Sequence, residues 1–187
     1  MARPGLAIGA TGDVDRALAT LDRGSHFLGL GLGSGAAPAR AIAGRYRAKV
    51  IGNGLRELDR FLNLLIDALA ARHCIGLPRG ERNTANKLAR LRALLGVPDG
   101  DHARLTALGR TRDCLFHCGG HVRRGDARGD GMMTIGWPAA AGGTLLRVAV
   151  GGELQPDAAQ LLETCGYYRE IAAALLIEAR VPGSAPA

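Results

Sequence analysis

Lysine and aromatic residues are scarce in this sequence. Only Lys49 and Lys87 are lysine among 24 Lys and Arg residues, and aromatic residues make up 4% of the 187 positions, against a hydrophobic share of 47%. With so few aromatic rings, the core must consist mainly of Leu, Ala, Ile and Val, which suits closely packed helices. A chain of this length is expected to bury such a core within one domain without help from disulfides or metals.

Cysteine is too sparse for a secreted domain stabilised by disulfides. The four cysteines lie in apolar or helical surroundings, at positions 74, 114, 118 and 165, without the spacing of a disulfide framework. No apolar run reaches the ~18–20 residues that a membrane span needs. Gly, Pro and two early Asp interrupt the first residues, unlike those of a signal peptide. These absences predict a reduced, cytoplasmic protein with no membrane partner.

Acidic residues are in the minority, and the formal net charge is +7. Such a balance favours acidic partners, with nucleic acid first among them. However, the strong preference for Arg over Lys, together with the many Ala and Gly residues, also reflects a GC-rich coding sequence. The charge alone therefore does not assign a function.

The first 40 residues lack the hydrophobic periodicity of a core element, and we interpret residues 1–40 as a Gly-rich arm or linker. Within this segment, GLGSGA at Gly31–Ala36 formally matches the dinucleotide-binding pattern G-x-G-x-x-G/A. The pattern has meaning only between a strand and a helix of a βαβ unit. No alternation of strands and helices follows, so a nucleotide-binding loop is not expected here.

Leucine stripes at helical spacing begin near residue 46. They predict helices at 46–72, 84–95, 101–118 and 156–180. Gly52 and Gly54 weaken the first turn of the first of these helices, which leaves room for a bend or a late start. Asp101 is suited to cap its helix, and Pro156 is suited to the first helical position.

The segment between the last two helices has a different pattern. MMTIGW and TLLRVAV are short alternating or β-branched runs joined by PAAAGG, which predicts a β-hairpin within an insertion at about 122–154. Its lead-in, RRGDARGDG, is basic and Gly-rich and is expected to be a mobile loop. The predicted fold class is all-α: a bundle of four to five helices over residues 41–181, with a β-hairpin insertion before the last helix and a flexible tail at 182–187.

The stretch RTRDCLFHCGGH, from Arg110 to His121, has three interpretations. The first is the end of an ordinary amphipathic helix, with its cysteines as small buried hydrophobes. The second is a zinc site, because two thiols and two imidazoles stand at steps of three or four residues: Cys114, His117, Cys118 and His121. Gly119 and Gly120 should end the helix before His121, and zinc sites usually join separate pieces of chain. We therefore expect no metal and no other cofactor.

The third interpretation is a paired arginine and histidine in RDCLFH, from Arg112 to His117. This stretch resembles the signature of the HEPN superfamily at every position: Arg, a polar residue, three further residues and His, within a helical bundle. The flanking HARLTALG and CGGHVRR are similar to the family as well. The resemblance implies a dimeric all-α domain that is often a metal-independent endoribonuclease of toxin–antitoxin or phage-defence systems, with an antitoxin protein as a possible partner. Other members are inactive binding modules.

One variant of the family has a Tyr two residues after the His, to which an antitoxin attaches nucleotides. In this sequence Gly119 stands at that position, so this form of regulation is not expected.

The chemistry of RNA cleavage suits these residue types. RNA carries its own nucleophile, the 2′-OH, so a site needs a proton acceptor such as His117 and a cation such as Arg112 for the developing phosphorane charge. Asp113 is expected to orient either of them. Three further arginines are expected to contact the RNA backbone: Arg123, Arg124 and Arg128.

One helix makes a shallow site, so we expect a homodimer in which two motif helices face each other across a two-fold axis. The alternative function is a catalytically inactive module that binds RNA, a nucleotide or a protein partner. In that case Arg112 is a solvated helix residue and His117 only hydrogen-bonds the helix end.

Overall fold

A computed structural model describes residues 6–30, 44–78, 80–138 and 143–179 of the chain. They form a mostly helical fold with one two-stranded antiparallel sheet. The elements in chain order are α1 (Leu6–Leu30), α2 (Arg47–Arg72), α3 (Thr84–Leu95), α4 (His102–Cys118), β1 (Met132–Pro138), β2 (Leu145–Ala149) and α5 (Ala158–Glu178). Within these described ranges, no helix is long and apolar enough to cross a membrane.

Helices α2 to α5 lie within two residues of their predicted bounds at either end, and local capping explains where they begin and end. Asn83 accepts a hydrogen bond from the backbone of Asn86 at the start of α3, and Gly96 ends that helix in the left-handed conformation. The start of α5 differs slightly from the prediction: Asp157, not a residue before Pro156, is the N-cap and forms a capping box with Gln160.

The prediction that the side chain of Asp101 caps α4 is wrong. Asp101 occupies the N-cap position but makes no capping hydrogen bond with its side chain. Its carboxylate instead binds Arg92 at 2.5 Å and accepts a hydrogen bond from the Tyr167 hydroxyl at 2.9 Å. Two further carboxylates, those of Asp99 and Glu178, bind the same buried guanidinium. Asp101 therefore helps to join α3, α4 and α5 rather than satisfying the first turn of its own helix.

The interpretation of residues 1–40 as an arm or linker is wrong for residues 6–30, which form α1. This helix packs against α2 and α5 and buries Val14, Leu21 and Leu28 in the common core. The three residues are seven apart, which places them on one face every two turns. The remaining part of the predicted arm, including the GLGSGA stretch, lies outside the described residues, as does the predicted tail.

Helix α2 is the centre of the bundle and contacts each of the other helices. It runs as one helix from Arg47, so the late start considered at its glycines does not occur. The glycines mark close approaches instead. A Cβ atom on Gly52 would lie 2.7 Å from the backbone nitrogen of Phe116 in α4, and one on Gly54 would lie 2.8 Å from Leu28 in α1.

The predicted hairpin is present and packs on α4. Strand β1 pairs antiparallel with β2, with Met133 opposite Val148, and its core-facing side chains include the buried Ile135 and Trp137. The backbone amide of Gly136 donates a hydrogen bond of 3.1 Å to the hydroxyl of Thr111 in α4. Helix α4 is therefore held between α2 on one side and the hairpin on the other.

Candidate active site around helix α4

Two faces of α4 carry the residues of the RDCLFH motif. One face lines a cleft of about 1100 Å³, which we call the α4 cleft. Its α4 side is formed by Arg110, Asp113, Cys114, His117 and Cys118. Its other side is the loop from Arg123 to Gly131, together with Met133 and Val150. The other face of α4 packs against α2, where the backbone of Phe116 meets Gly52.

The α4 cleft collects five of the six residues that the sequence predicts for the site. His117 and Asp113 line it from the helix, and three arginines line it from the loop: Arg123, Arg124 and Arg128. Arg112 is not among the lining residues. It lies five positions before His117, which turns its side chain by about 140° around the helix. The predicted pair is therefore divided between two faces of α4 within this chain.

Arg112 is bound by two carboxylates. Its Nη1 donates a hydrogen bond of 2.7 Å to Oδ2 of Asp59 in α2, and its Nε donates one of 3.0 Å to Oδ1 of Asp113. The side chain retains 23% of its exposure. Burial acts to lower the pKa of Arg112, but the bond with Asp113 and the charge of Asp59 outweigh it, so the pKa is raised above its ordinary value. The guanidinium is fixed in position and charged.

Asp59 is a residue of this site that the sequence did not single out. Burial raises the pKa of its carboxyl, and neither the hydrogen bond with Thr84 nor the charge of Arg112 brings the pKa back to its ordinary value. Tyr168 of α5 is buried close by, and burial followed by the charge of Asp59 raises its pKa well above the ordinary value. Asp59 directly follows Leu58, a buried core residue of α2. A carboxylate so close to the core is costly unless a cation or a hydrogen-bond donor pairs with it.

His117 lies in the last turn of α4 and is exposed. Its ring contacts that of Phe116 edge to face, with 4.9 Å between the centroids. Two cations from α2 lie over the Phe116 ring: the Lys49 Nζ at 5.5 Å and the Arg56 Cζ at 5.1 Å from its centroid. Gly119 then ends the helix in the left-handed conformation. His117 thus stands between the α4 cleft and a second group of cations.

The loop side of the α4 cleft is ordered around Asp126. The carboxylate accepts hydrogen bonds from the backbone amide and the hydroxyl of Thr134 at 2.9 and 2.5 Å, and it pairs with Arg110 at 2.9 Å. Burial acts to raise the pKa of Asp126, but the bonds from Thr134 and the charge of Arg110 outweigh it and lower the pKa. Asp126 remains ionised and holds the loop to β1.

The three predicted loop arginines are exposed. Among the described residues, none of them forms an ion pair with a carboxylate, whereas the carboxylates of the same loop pair with other arginines, Asp126 with Arg110 and Asp130 with Arg147. The loop therefore presents cationic side chains at the mouth of the α4 cleft that no carboxylate of the described chain neutralises.

The zinc alternative has no geometric support in the described part of the chain, where no group of three or more His, Cys, Asp and Glu side chains is placed to hold a metal ion. Gly119 and Gly120 turn the chain after the helix, and His121 instead forms an isolated backbone bridge with Glu153. Burial, followed by the nearby Cys118, raises the pKa of Cys114 to about 11. That thiol is therefore protonated at neutral pH and packs as a small apolar residue.

No protein-family model matches this chain, and no curated protein or solved structure matches it significantly. The resemblance to the HEPN superfamily therefore stays an inference from the RDCLFH stretch and its helical surroundings.

Proposed function

We propose that this protein is a metal-independent endoribonuclease of the HEPN type that acts as a homodimer, in a toxin–antitoxin or phage-defence system. The observation that carries the proposal is the α4 cleft, in which His117 and Asp113 of the motif face three arginines without carboxylate partners, Arg123, Arg124 and Arg128. A proton acceptor beside a row of cations is the combination that binds a phosphodiester and activates the neighbouring 2′-OH.

In the proposed reaction, a ring nitrogen of His117 accepts the proton of the 2′-OH while the 2′-oxygen attacks the adjacent phosphorus. The bond from phosphorus to the 5′-oxygen breaks, that oxygen takes a proton from water as it leaves, and His117 then returns the proton of the 2′-OH to the solvent. The products are a 2′,3′-cyclic phosphate and a 5′-OH end. Arginine, with its planar fork of donors, stabilises the charge on the phosphorane oxygens. No metal or other cofactor takes part in this scheme.

The assignment of this stabilising role to Arg112 requires a second copy of the chain. Within one copy Arg112 is bound to Asp59 and lies outside the α4 cleft. The outward face of α4 can accept another helix, because a Cβ atom on Gly109 would meet nothing within 4 Å and Asp113 is 45% exposed. A two-fold axis beside this face would bring each Arg112 towards the partner's α4 cleft.

The proposal is tested by cleavage of a labelled RNA, with a 2′-deoxy substitution at the cut site as the substrate control. We expect His117→Ala to reduce the rate by ~10²–10⁴, the usual contribution of a proton-transfer group. His102→Ala is the matched control, because His102 is an exposed histidine at the other end of the same helix; it should cut at the wild-type rate. Equal cleavage by His117→Ala, or cleavage of the deoxy substrate, would refute the mechanism.

A light-scattering measurement tests the assembly. A homodimer is expected at tens of micromolar, and a monomer under those conditions would contradict the proposed role of Arg112. The adjacent genes are a further test of the biological setting, since an antitoxin gene beside this one is expected.

A second candidate function is an inactive module that binds RNA, a nucleotide or a protein partner. The pairing of Arg112 with both Asp59 and Asp113 favours it, because a guanidinium held by two carboxylates has fewer donors left for a phosphate. RNA binding by wild type without any cleavage would identify this function.

A further inference from the structure

We infer that Arg110 is a phosphate-binding residue of the α4 cleft, and that it anchors a phosphate beside the one that is cut. The inference rests on the proposed ribonuclease function and adds to it a substrate requirement, namely an RNA strand that extends beyond the cleaved linkage. Arg110 belongs to neither the RDCLFH motif nor the loop. It is the arginine of α4 that lines the same cleft as His117.

The position of Arg110 on the helix places it on the cleft face. Arg110, Cys114 and His117 stand at i, i+4 and i+7, the spacing of residues on one face of a helix, and all three line the α4 cleft. Arg112, two positions further along, is turned towards α2 and bound there by Asp59. Within one chain, Arg110 is therefore the α4 arginine that shares a cleft with His117, alongside the three arginines of the loop.

A fixed carboxylate orients Arg110 without using all of its donors. Its Nη1 binds Oδ1 of Asp126 at 2.9 Å, and Asp126 is itself held by two hydrogen bonds from Thr134. Among the described residues, the Nε and Nη2 groups of Arg110 donate to no other side chain, and 39% of the side chain is exposed. Those donors are free for a phosphate oxygen, and the fixed Asp126 reduces the entropy lost when they bind it.

The distance along α4 separates this role from catalysis. Seven residues of an α-helix span about 10 Å, and the Arg110 guanidinium is bound to Asp126, so we assign Arg110 and His117 to different phosphates. A strand lying along the α4 cleft would instead place one phosphate at His117 and a flanking one at Arg110. Arg110 is thus assigned to binding of the substrate, and a substrate too short to reach it gains nothing from it.

Two measurements on Arg110→Gln test the inference. The first is the salt dependence of binding to a 2′-O-methyl oligonucleotide, which cannot be cut through a 2′-OH. The logarithm of the binding constant falls as the logarithm of the salt concentration rises, and loss of one phosphate contact should make this negative slope shallower by about 0.7. The second is the kinetics of cleavage: KM for an oligoribonucleotide should rise about tenfold, the loss of a charged hydrogen bond, with kcat unchanged and no effect on a dinucleotide substrate.

Arg147→Gln is the matched control. Arg147 also pairs with a loop carboxylate, Asp130, at 3.1 Å, but it does not line the α4 cleft, and the substitution should leave both measurements at their wild-type values. Arg110→Met, which keeps the aliphatic stem, guards against a folding defect specific to Gln and should give the same results. Circular dichroism verifies the fold of each variant.

The two failures can be told apart. If wild type binds and cuts RNA, while Arg110→Gln and Arg110→Met match Arg147→Gln in slope and KM, the role of Arg110 is refuted and the proposed function stands. If Arg110→Gln affects the dinucleotide as strongly as the oligonucleotide, the flanking-phosphate assignment is likewise refuted. Wild type that neither binds nor cuts RNA would overturn the proposed function and this inference together.

Discussion

Substitution of Gly52 by alanine tests the contact between α2 and α4 that positions the motif. Its Cβ atom would lie 2.7 Å from the Phe116 nitrogen and 3.1 Å from the Arg112 carbonyl oxygen. Both are backbone atoms, which cannot rotate away, so the two helices must separate. Overpacking of this kind costs ~1–3 kcal/mol. Because the contact involves two backbone atoms we place it near ~3 kcal/mol, and alanine recovers about 1 kcal/mol of helix propensity.

The expected net loss is thus about 2 kcal/mol, measured as the free energy of urea unfolding followed by circular dichroism. Gly166→Ala in α5 is the control: its Cβ atom would meet nothing within 4 Å, so helix propensity alone should stabilise the protein by roughly 0.5–1 kcal/mol. If Gly52→Ala proves as stable as Gly166→Ala, the close approach of α2 and α4 does not exist, and the placement of Arg112 against α2 fails with it.

Three further outcomes are expected. Arg92→Met leaves three carboxylates without their buried partner and should reduce the free energy of unfolding by ~3–5 kcal/mol; a loss below about 1 kcal/mol in urea unfolding would contradict this. Iodoacetamide at pH 8 should modify the exposed Cys74 well before Cys114 and Cys165, because burial raises the pKa of each of those thiols to about 11; peptide mapping that finds Cys114 modified first would be inconsistent. The lowered pKa of Asp126 stabilises the fold above the ordinary carboxyl pKa of about 4 and ceases to do so as the pH falls through the folded-state value. The difference in unfolding free energy between wild type and Asp126→Asn should therefore shrink between pH 7 and pH 3, and a constant difference would refute the assignment.

The bounds of α2 to α5 could be predicted because local signals determine them. Their leucine stripes recur every three or four residues, and glycines such as Gly96 and Gly119 end helices through their own backbone freedom. Helix α1 was missed because its stripe is thin: Val14, Leu21 and Leu28 provide one large core residue every two turns. Such a helix depends on tertiary packing for its stability, and this packing is not visible in a local window.

Part of the candidate site could be predicted because it too depends on a local pattern in the sequence. A motif names residue types at fixed spacing, and His117 and Asp113 do lie in one cleft with the basic loop. The spacing does not tell which neighbouring element meets each side chain. The binding of Arg112 by Asp59 joins positions 53 residues apart in sequence, and the position of Lys49 over Phe116 depends on how α2 crosses α4.

The two carboxylates around Arg112 determine at what range this arginine can act. Asp59 and Asp113 lie against its guanidinium and offset its charge, so from a distance Arg112 exerts little attraction on an anion. At physiological salt the field of a charge fades over about 8 Å, and a polyanion approaching from further away responds to the unpaired loop arginines. Under the proposed function, capture from solution and the chemistry at contact would be divided between different groups. The loop would determine how fast an anion arrives, and Arg112 would act only when an oxygen comes close enough to compete with a carboxylate for its hydrogen bonds.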